Sequence, residues 1–330
     1  MGNYLSHPSK EDYDMSIIYA VIPCYNEEEV LPRSSRILEQ KWRTLINNGC
    51  ISPESRITFV DDGSKDRTWE IISELSAAPN SIFAGIKLAG NKGHQNALLC
   101  GLMTCKDHCD AAISMDADLQ DDIDVVDKFI EEYHNGCGIV YGVRNDRTSD
   151  SFAKRFTAEG YYKILELLGV NIVFNHADYR LMSRPALEAL SQYGETNLFL
   201  RGIIPELGFK TAIVEYARKE RLAGESKYTL KKMLRLAWDG ITSFSVRPLR
   251  MLSVMGALAV LVAVVMALYT FISHFTGNTV SGWSSLMISI WFLGGLNLLA
   301  LGIVGEYIGK IYSEVKNRPR FIVEKTTGLK

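Results

Sequence analysis

Two stretches of this 330-residue chain contain no Asp, Glu, Lys or Arg: residues 251–273 and 283–305. Each is about 23 residues, or ~34 Å as helix, enough to cross a ~30 Å hydrocarbon core. Two buried helices of a soluble core would need that uncharged length twice, so the absence predicts a pair of transmembrane helices. Cysteine is missing after Cys137, and the six at 24, 50, 100, 105, 109 and 137 lack the regular pairing of a secreted scaffold. That favours a reducing, cytosolic compartment. The group Cys100, Cys105, His108 and Cys109 has no second CxxC-like half. It is read as small packing residues, with zinc as the alternative. Charge of one sign is also missing: 36 basic against 38 acidic residues leave a net −2, with no global signal for nucleic acid. No G-x-G-x-x-G follows the first apolar run and no G-x-x-x-x-G-K-[ST] occurs anywhere. A Rossmann dinucleotide site and a P-loop are therefore disfavoured. Residues 1–14 are polar and lack an apolar signal-peptide run, so a loose tail is expected. Gly2 and Ser6, which fit a myristoylation pattern, are the alternative.

With 47% hydrophobic and 22% charged residues, the chain can bury a core. A polar turn without Lys or Arg, "HFTGNTVSG", joins the two uncharged runs. Arg247 and Arg250 precede them, and Lys310, Lys316, Arg318 and Arg320 follow. The positive-inside rule puts both flanks, and hence both termini, in the cytosol. Just before this hairpin, Leu230, Met233, Leu234, Ala237, Trp238, Ile241 and Phe244 recur at helical spacing, with Lys231, Lys232 and Arg235 on other faces. A basic amphipathic helix over 229–248 is expected to lie in the headgroup layer.

From residue 17 to about 143, short apolar runs alternate with helical patterns. Strands are expected at 17–22, 57–60, 82–88, 111–115 and 139–141. Helices are expected at 28–45, 68–75, 93–103 and 125–133. This predicts an α/β fold with a mostly parallel sheet and helices on both faces. Ligands in such sheets bind at the carboxyl ends of the strands. Polar segments collect there in order: "PCYNEEE", "DDGSKD", "NKGHQN" and "DADLQDD". One acidic turn would mean little, since Asp and Gly are ordinary turn residues. Four in register make a site.

The densest is "SMDADLQDD", with Asp116, Asp118, Asp121 and Asp122 within seven positions. Carboxylates this close repel one another, so either they form a solvated turn or a cation sits among them. Asp116 and Asp118 share one side of the strand end because alternate residues point the same way. Gln120 adds a neutral amide oxygen. Hard Mg²⁺ or Mn²⁺ accepts such oxygens while keeping waters or phosphate. Asp121 and Asp122 are expected to begin the next helix, where its dipole favours acids.

The ordered series "VIPCYNEEEVLP", "FVDDGSKDRTWEII", "NKGHQNALLCGL", "SMDADLQDD", "DYRLMSR" and "RLAGESKY" resembles the successive motifs of family-2 glycosyltransferases with a GT-A fold. The chain is most similar to the polyprenyl-phosphate subgroup, which includes dolichol-phosphate mannose synthase and undecaprenyl-phosphate glucosyltransferases. The resemblance covers roughly residues 15–320. It departs at Asn96, where related chains carry a small residue.

The resemblance implies a nucleotide-sugar donor held by Pro23, Tyr25, Glu27 and Asp62, with Asp61 a structural turn residue. Lys92 is a candidate phosphate contact, with a solvated lysine as the equal alternative. It implies Asp116 near the ribose, and Asp118 and Gln120 at the metal, with Asp116 also a candidate ligand. Arg221 and Lys227 match its acceptor-phosphate motif, and Arg144 is a second candidate. Asp178 is expected beside the acceptor as base or positioning group, against the alternative of a pair with Arg180. A phosphate monoester is already anionic near neutral pH, with a second pKa of about 6, so a strong base is optional.

The expected organisation is a tail (1–14), a cytosolic GT-A domain (15–228), the juxtamembrane helix (229–248), the two-helix hairpin (249–309) and a cytosolic tail (310–330). The expected activity is inverting transfer of one hexose, foremost glucose from its UDP donor, to undecaprenyl or dolichyl phosphate at the cytosolic face of a bacterial plasma membrane. N-acetylglucosamine, or mannose from GDP-mannose, is an alternative, as are a processive polysaccharide synthase and a non-catalytic membrane scaffold. The synthase class carries Q-x-x-R-W and more membrane helices, neither of which occurs here. Homo-oligomerisation is left open.

Overall fold

This computed structural model describes residues 15–144, 176–195, 200–216, 247–275 and 282–329. They fall into two compact units, one built around a β-sheet and the other around two long helices. The expected juxtamembrane helix lies mostly outside the described residues.

Strands β1 (Ile18–Cys24), β2 (Arg56–Asp61), β3 (Phe83–Leu88), β4 (Ala111–Ser114) and β5 (Ile139–Arg144) stand where the apolar runs predict them. They are joined by β6 (His176–Ser183), β7 (Thr211–Tyr216) and β8 (Val323–Thr327), which were not anticipated. Among the described residues the sheet runs β7-β5-β6-β4-β1-β2-β3-β8. β1 pairs in parallel with β2 and β4, β2 with β3, and β5 with β7. The pairings of β6 with β4 and β5, and of β8 with β3, are antiparallel.

This order fixes the site. The chain moves outward from β1 to β2 and β3, then returns to β1's other side as β4, which makes a topological switch point between β1 and β4. Because β6 runs opposite to both neighbours, β5 and β7 point the same way as β1–β4. The carboxyl ends of six strands and the start of β6 therefore share one edge.

Helices α1 (Leu31–Asn47), α2 (Thr68–Ala77), α3 (His94–Cys105) and α4 (Val125–His134) follow strands β1–β4 in turn. Every residue of β1 is buried, as expected of a strand covered on both faces. α1 turns Leu31, Leu38, Trp42 and Leu45 into the core, and the Trp42 indole N–H donates to the Ile18 carbonyl at 3.4 Å. Each such buried side chain contributes roughly 1.5–3 kcal/mol. α3 lies flat on β1 and β2 because Gly101 lets it: a Cβ there would overlap Val21 and stand 2.7 Å from Val60 Cγ2. Asn96 is accommodated on this helix by donating from Nδ2 to the Lys92 carbonyl at 2.9 Å. Two short helices, α5 (Arg184–Ser191) and α6 (Leu200–Glu206), complete the unit.

In the second unit, α7 (Arg247–Phe275) and α8 (Trp283–Val315) contain the two uncharged runs. Among the described residues one segment, Phe292–Val315, is long and apolar enough to cross a membrane. Its mean hydropathy is 1.5 and none of its apolar window is buried. That window begins nine positions after the expected 283–305 run and extends past Glu306 and Lys310.

Candidate active site

The loops after β1 and β2 are stitched to each other. Asn26, in the left-handed region at φ 54, donates its N–H to Ser64 Oγ at 3.0 Å and accepts from the Lys65 N–H at 2.9 Å. The Glu27 N–H reaches Thr68 Oγ1 at 2.9 Å. Gly63, at φ +68, is required where this hairpin of loops meets the next: a Cβ would stand 2.7 Å from the Gly90–Asn91 backbone. Of the expected nucleoside contacts, Tyr25 is exposed, and Pro23 is buried one residue before the end of β1.

The two aspartates of "DDGS" are both buried. Asp61 Oδ1 accepts the Ser64 N–H at 3.0 Å, a turn role as expected. Asp62 has a structural task in addition to the expected nucleoside one. Its two oxygens accept the backbone N–H groups of Lys92 (2.7 Å) and Gly93 (2.8 Å), which anchors the loop entering α3. Burial pushes its carboxyl up, and these two donors pull it partly back. The Lys92 side chain is exposed.

After β4 the chain turns through Asp116, Ala117, Asp118 and Leu119, the last in the left-handed region at φ 48. Ala117 and Leu119 face inward while Asp116 and Asp118 keep access to solvent, the alternation expected from the sequence. The Gln120 N–H donates to Asp118 Oδ1 at 3.3 Å, and Asp118 lines a small groove with Glu29 and Arg33. Asp116 is crowded by protein although 40% of its side chain is accessible. Burial pushes its carboxyl up; His94 opposes this, while Asp121, Asp178 and Asp118 add to it. A divalent cation would relieve that crowding. Among the described residues no three His, Cys, Asp or Glu side chains converge as a metal cage. Two carboxylates and an amide oxygen nevertheless fit an ion that takes its remaining ligands from a diphosphate and water. Gln120 is itself buried, so its amide would have to meet the ion from within the loop.

Asp121 and Asp122 do not begin the helix, because α4 starts at Val125. Asp121 is buried and answers a cation instead: Arg144 Nη2 and Nε stand 2.9 and 3.1 Å from its Oδ1, and Tyr216 Oη donates to the same oxygen at 2.7 Å. Arg144, a sequence candidate for the acceptor phosphate, is thus held by an acidic partner at the edge of the site. Arg221 and Lys227 lie outside the described residues.

Asp178 gathers one anticipated partner and two groups, Arg201 and His94, to which the sequence assigned no role. Arg180 Nη2 donates to its Oδ1 at 2.5 Å, so the anticipated alternative pair does form. Arg201, from α6, closes on both oxygens. His94 Nε2 stands 3.7 Å from Asp178 Oδ2 and 3.8 Å from Asp116 Oδ1, between the two carboxylates. Next to His94, Gln95 Oε1 accepts the Leu200 N–H at 3.2 Å and so fixes α6 to α3. Burial alone would raise the Asp178 carboxyl, but Arg180 and Arg201 overcome it and hold the group well below the usual carboxylate range. A carboxylate held this low is a poor general base. Of the two expected roles, the arginine contacts favour positioning.

Among the described residues the cysteines and His108 do not converge as a group of three that could hold zinc. Cys100, Cys105 and Cys109 are buried free thiols, and burial pushes Cys100 up to about 11 and Cys105 up to about 12. Their burial as free thiols fits the packing reading.

The glycosyl transferase family 2 model matches residues 19–191, and a second model, the GtrB C-terminal hairpin, matches residues 247–311. An uncharacterized glycosyltransferase of Bacillus subtilis, YkoT, is 52% identical over 93% of this chain and 91% of its own. The bactoprenol glucosyl transferase of Shigella phage SfII is 40% identical over 94% of this chain and 98% of its own. Among solved structures, the mannosyltransferase PcManGT from Pyrobaculum calidifontis, in complex with GDP-Man and Mn²⁺, aligns over 89% of this chain and 87% of that one, at 14% identity and a TM-score of 0.40. The chain belongs to glycosyl transferase family 2, and its sheet-bearing unit has the GT-A-like α/β fold.

Proposed function

We propose that this family 2 glycosyltransferase moves one hexose, with inversion, from UDP-glucose to a polyprenyl phosphate at the cytosolic face of a membrane. The observation that carries the reading is the continuity of its likeness to a bactoprenol glucosyl transferase, which runs through the catalytic unit and the C-terminal helices alike. The loops after β1 and β2, with Pro23, Tyr25, Glu27 and Asp62, receive the nucleoside. Asp116, Asp118 and Gln120 hold Mg²⁺ or Mn²⁺, with Lys92 as a further phosphate contact. The bound ion supplies positive charge against the departing diphosphate.

The acceptor brings its own nucleophile, since a phosphate monoester is largely ionised at neutral pH. The protein's task is then to bring two anions together. Arg144, Arg221 and Lys227 hold the acceptor phosphate. Asp178, its charge balanced by Arg180 and Arg201, positions His94 beside Asp116 without repelling either substrate. Helices α7 and α8 cross the membrane as a hairpin, with the catalytic unit and both termini in the cytosol.

Radiolabelled UDP-glucose, UDP-N-acetylglucosamine and GDP-mannose, each offered with a short-chain polyprenyl phosphate in detergent, test the donor. Label should enter the lipid from UDP-glucose. Transfer from GDP-mannose alone would replace the donor assignment.

A further inference from the structure

The last residues of β5 and β7, Arg144 and Tyr216, are register partners on the sheet edge that carries the site. Tyr216 is buried, and its hydroxyl stands 2.7 Å from Asp121 Oδ1 and 3.3 Å from Arg144 Nε. Asp121, also buried, takes Arg144 Nε and Nη2 on that same oxygen. Two of the three guanidinium nitrogens are therefore committed to a buried acid that follows Gln120 directly. The third, Nη1, has no hydrogen-bond partner among the described residues, and the Arg144 side chain is 28% exposed. A long side chain that would otherwise sample many rotamers is thus held to one presentation, with one edge inward and one outward. From Tyr216 the chain runs straight into the sequence that carries Arg218, Lys219, Arg221 and Lys227.

We infer that Tyr216 and Asp121 are positioning residues for acceptor binding, which pin the inner edge of Arg144 so that its outer edge meets the lipid phosphate. This rests on Arg144 being an acceptor contact, as proposed above. Neither residue touches substrate; each acts through Arg144. Pre-paid orientation of this kind strengthens substrate binding without adding a contact.

The test uses the full chain in detergent with farnesyl phosphate as acceptor and UDP-glucose as donor. Tyr216→Phe keeps the ring and removes only the hydroxyl. It should raise the acceptor KM about three- to tenfold, leave kcat within about twofold, and leave UDP-glucose affinity by calorimetry unchanged. Arg144→Ala should raise the acceptor KM further. Adding Tyr216→Phe to Arg144→Ala should then have no additional effect, because a group that acts only through Arg144 has nothing left to position. Additive losses in the double variant, or a fall in kcat with KM unchanged, would make Tyr216 a general packing residue and overturn the inference. An acceptor KM unmoved by Arg144→Ala would instead remove Arg144 from the acceptor site, and the inference with it.

Discussion

Arg201 closes on Asp178 with two hydrogen bonds, Nε to Oδ1 and Nη2 to Oδ2, each 3.2 Å long. With Arg180 on the same carboxylate, Asp178 is held well below its ordinary range. A carboxyl depressed in the folded state adds stability that is fully present above its unfolded value of ~3.9 and is lost as pH falls through the folded value. Asp178 therefore stays ionised from about pH 5 to 9. Asp178→Asn should lower kcat/KM on the order of 10- to 100-fold, as loss of an orienting partner does. The shape of the pH profile over that range should not change. An acid limb present in the wild type and missing in the variant would restore Asp178 as the base.

Asp118→Asn should abolish turnover, and EDTA should silence the wild type until Mg²⁺ or Mn²⁺ is returned. Burial, with the neighbouring carboxylates adding to it, raises the Asp116 carboxyl, and a bound cation would offset both. Mn²⁺ binding, followed by electron paramagnetic resonance with UDP present, should weaken in the same variant. Full activity in chelator would assign the diphosphate's neutralisation to side-chain cations.

Gly101→Ala tests how α3 reaches the site. The added methyl must displace Val21 and Val60, both stiff β-branched side chains in the central strands. A loss of about 1–3 kcal/mol is expected in urea unfolding of the detergent-solubilised protein. Stability equal to wild type would mean that the helix rides further from the sheet.

Much of the α/β unit was legible because β1–β4 are short uninterrupted apolar runs and α1–α4 carry helical spacing. β6 escaped because Asp178 and Arg180 break its apolar pattern; Arg180 is buried in the sheet with Asp178 as its ion-pair partner. β8, "VEKTT", is a polar edge strand, and its place beside β3 is set by the antiparallel ladder and the Ser76–Thr327 hydroxyl contact of 2.7 Å. The acidic strand ends could be read as a site, but not which acids face it. Asp121 stands where an acidic helix start is expected, but Arg144 and Tyr216 claim its carboxylate. His94 lies in the strand-end segment "NKGHQN" and Arg201 in no motif, but the role of each comes from Asp178, which neither segment contains.

Reporter fusions test the hairpin. A fusion at Gly277 should report the outer compartment and one at Lys330 the cytosol. The same compartment at both positions would break the two-span topology and the cytosolic assignment of the catalytic unit.

Mass spectrometry of the lipid product, after incubation of the purified chain with UDP-glucose, Mg²⁺ and a polyprenyl phosphate, addresses the central claim most directly. One new species should appear, the acceptor plus a single hexose, in amounts matching the UDP released. A ladder of added hexoses would show a processive synthase, and UDP release without any glycosylated lipid would contradict transfer to the lipid phosphate.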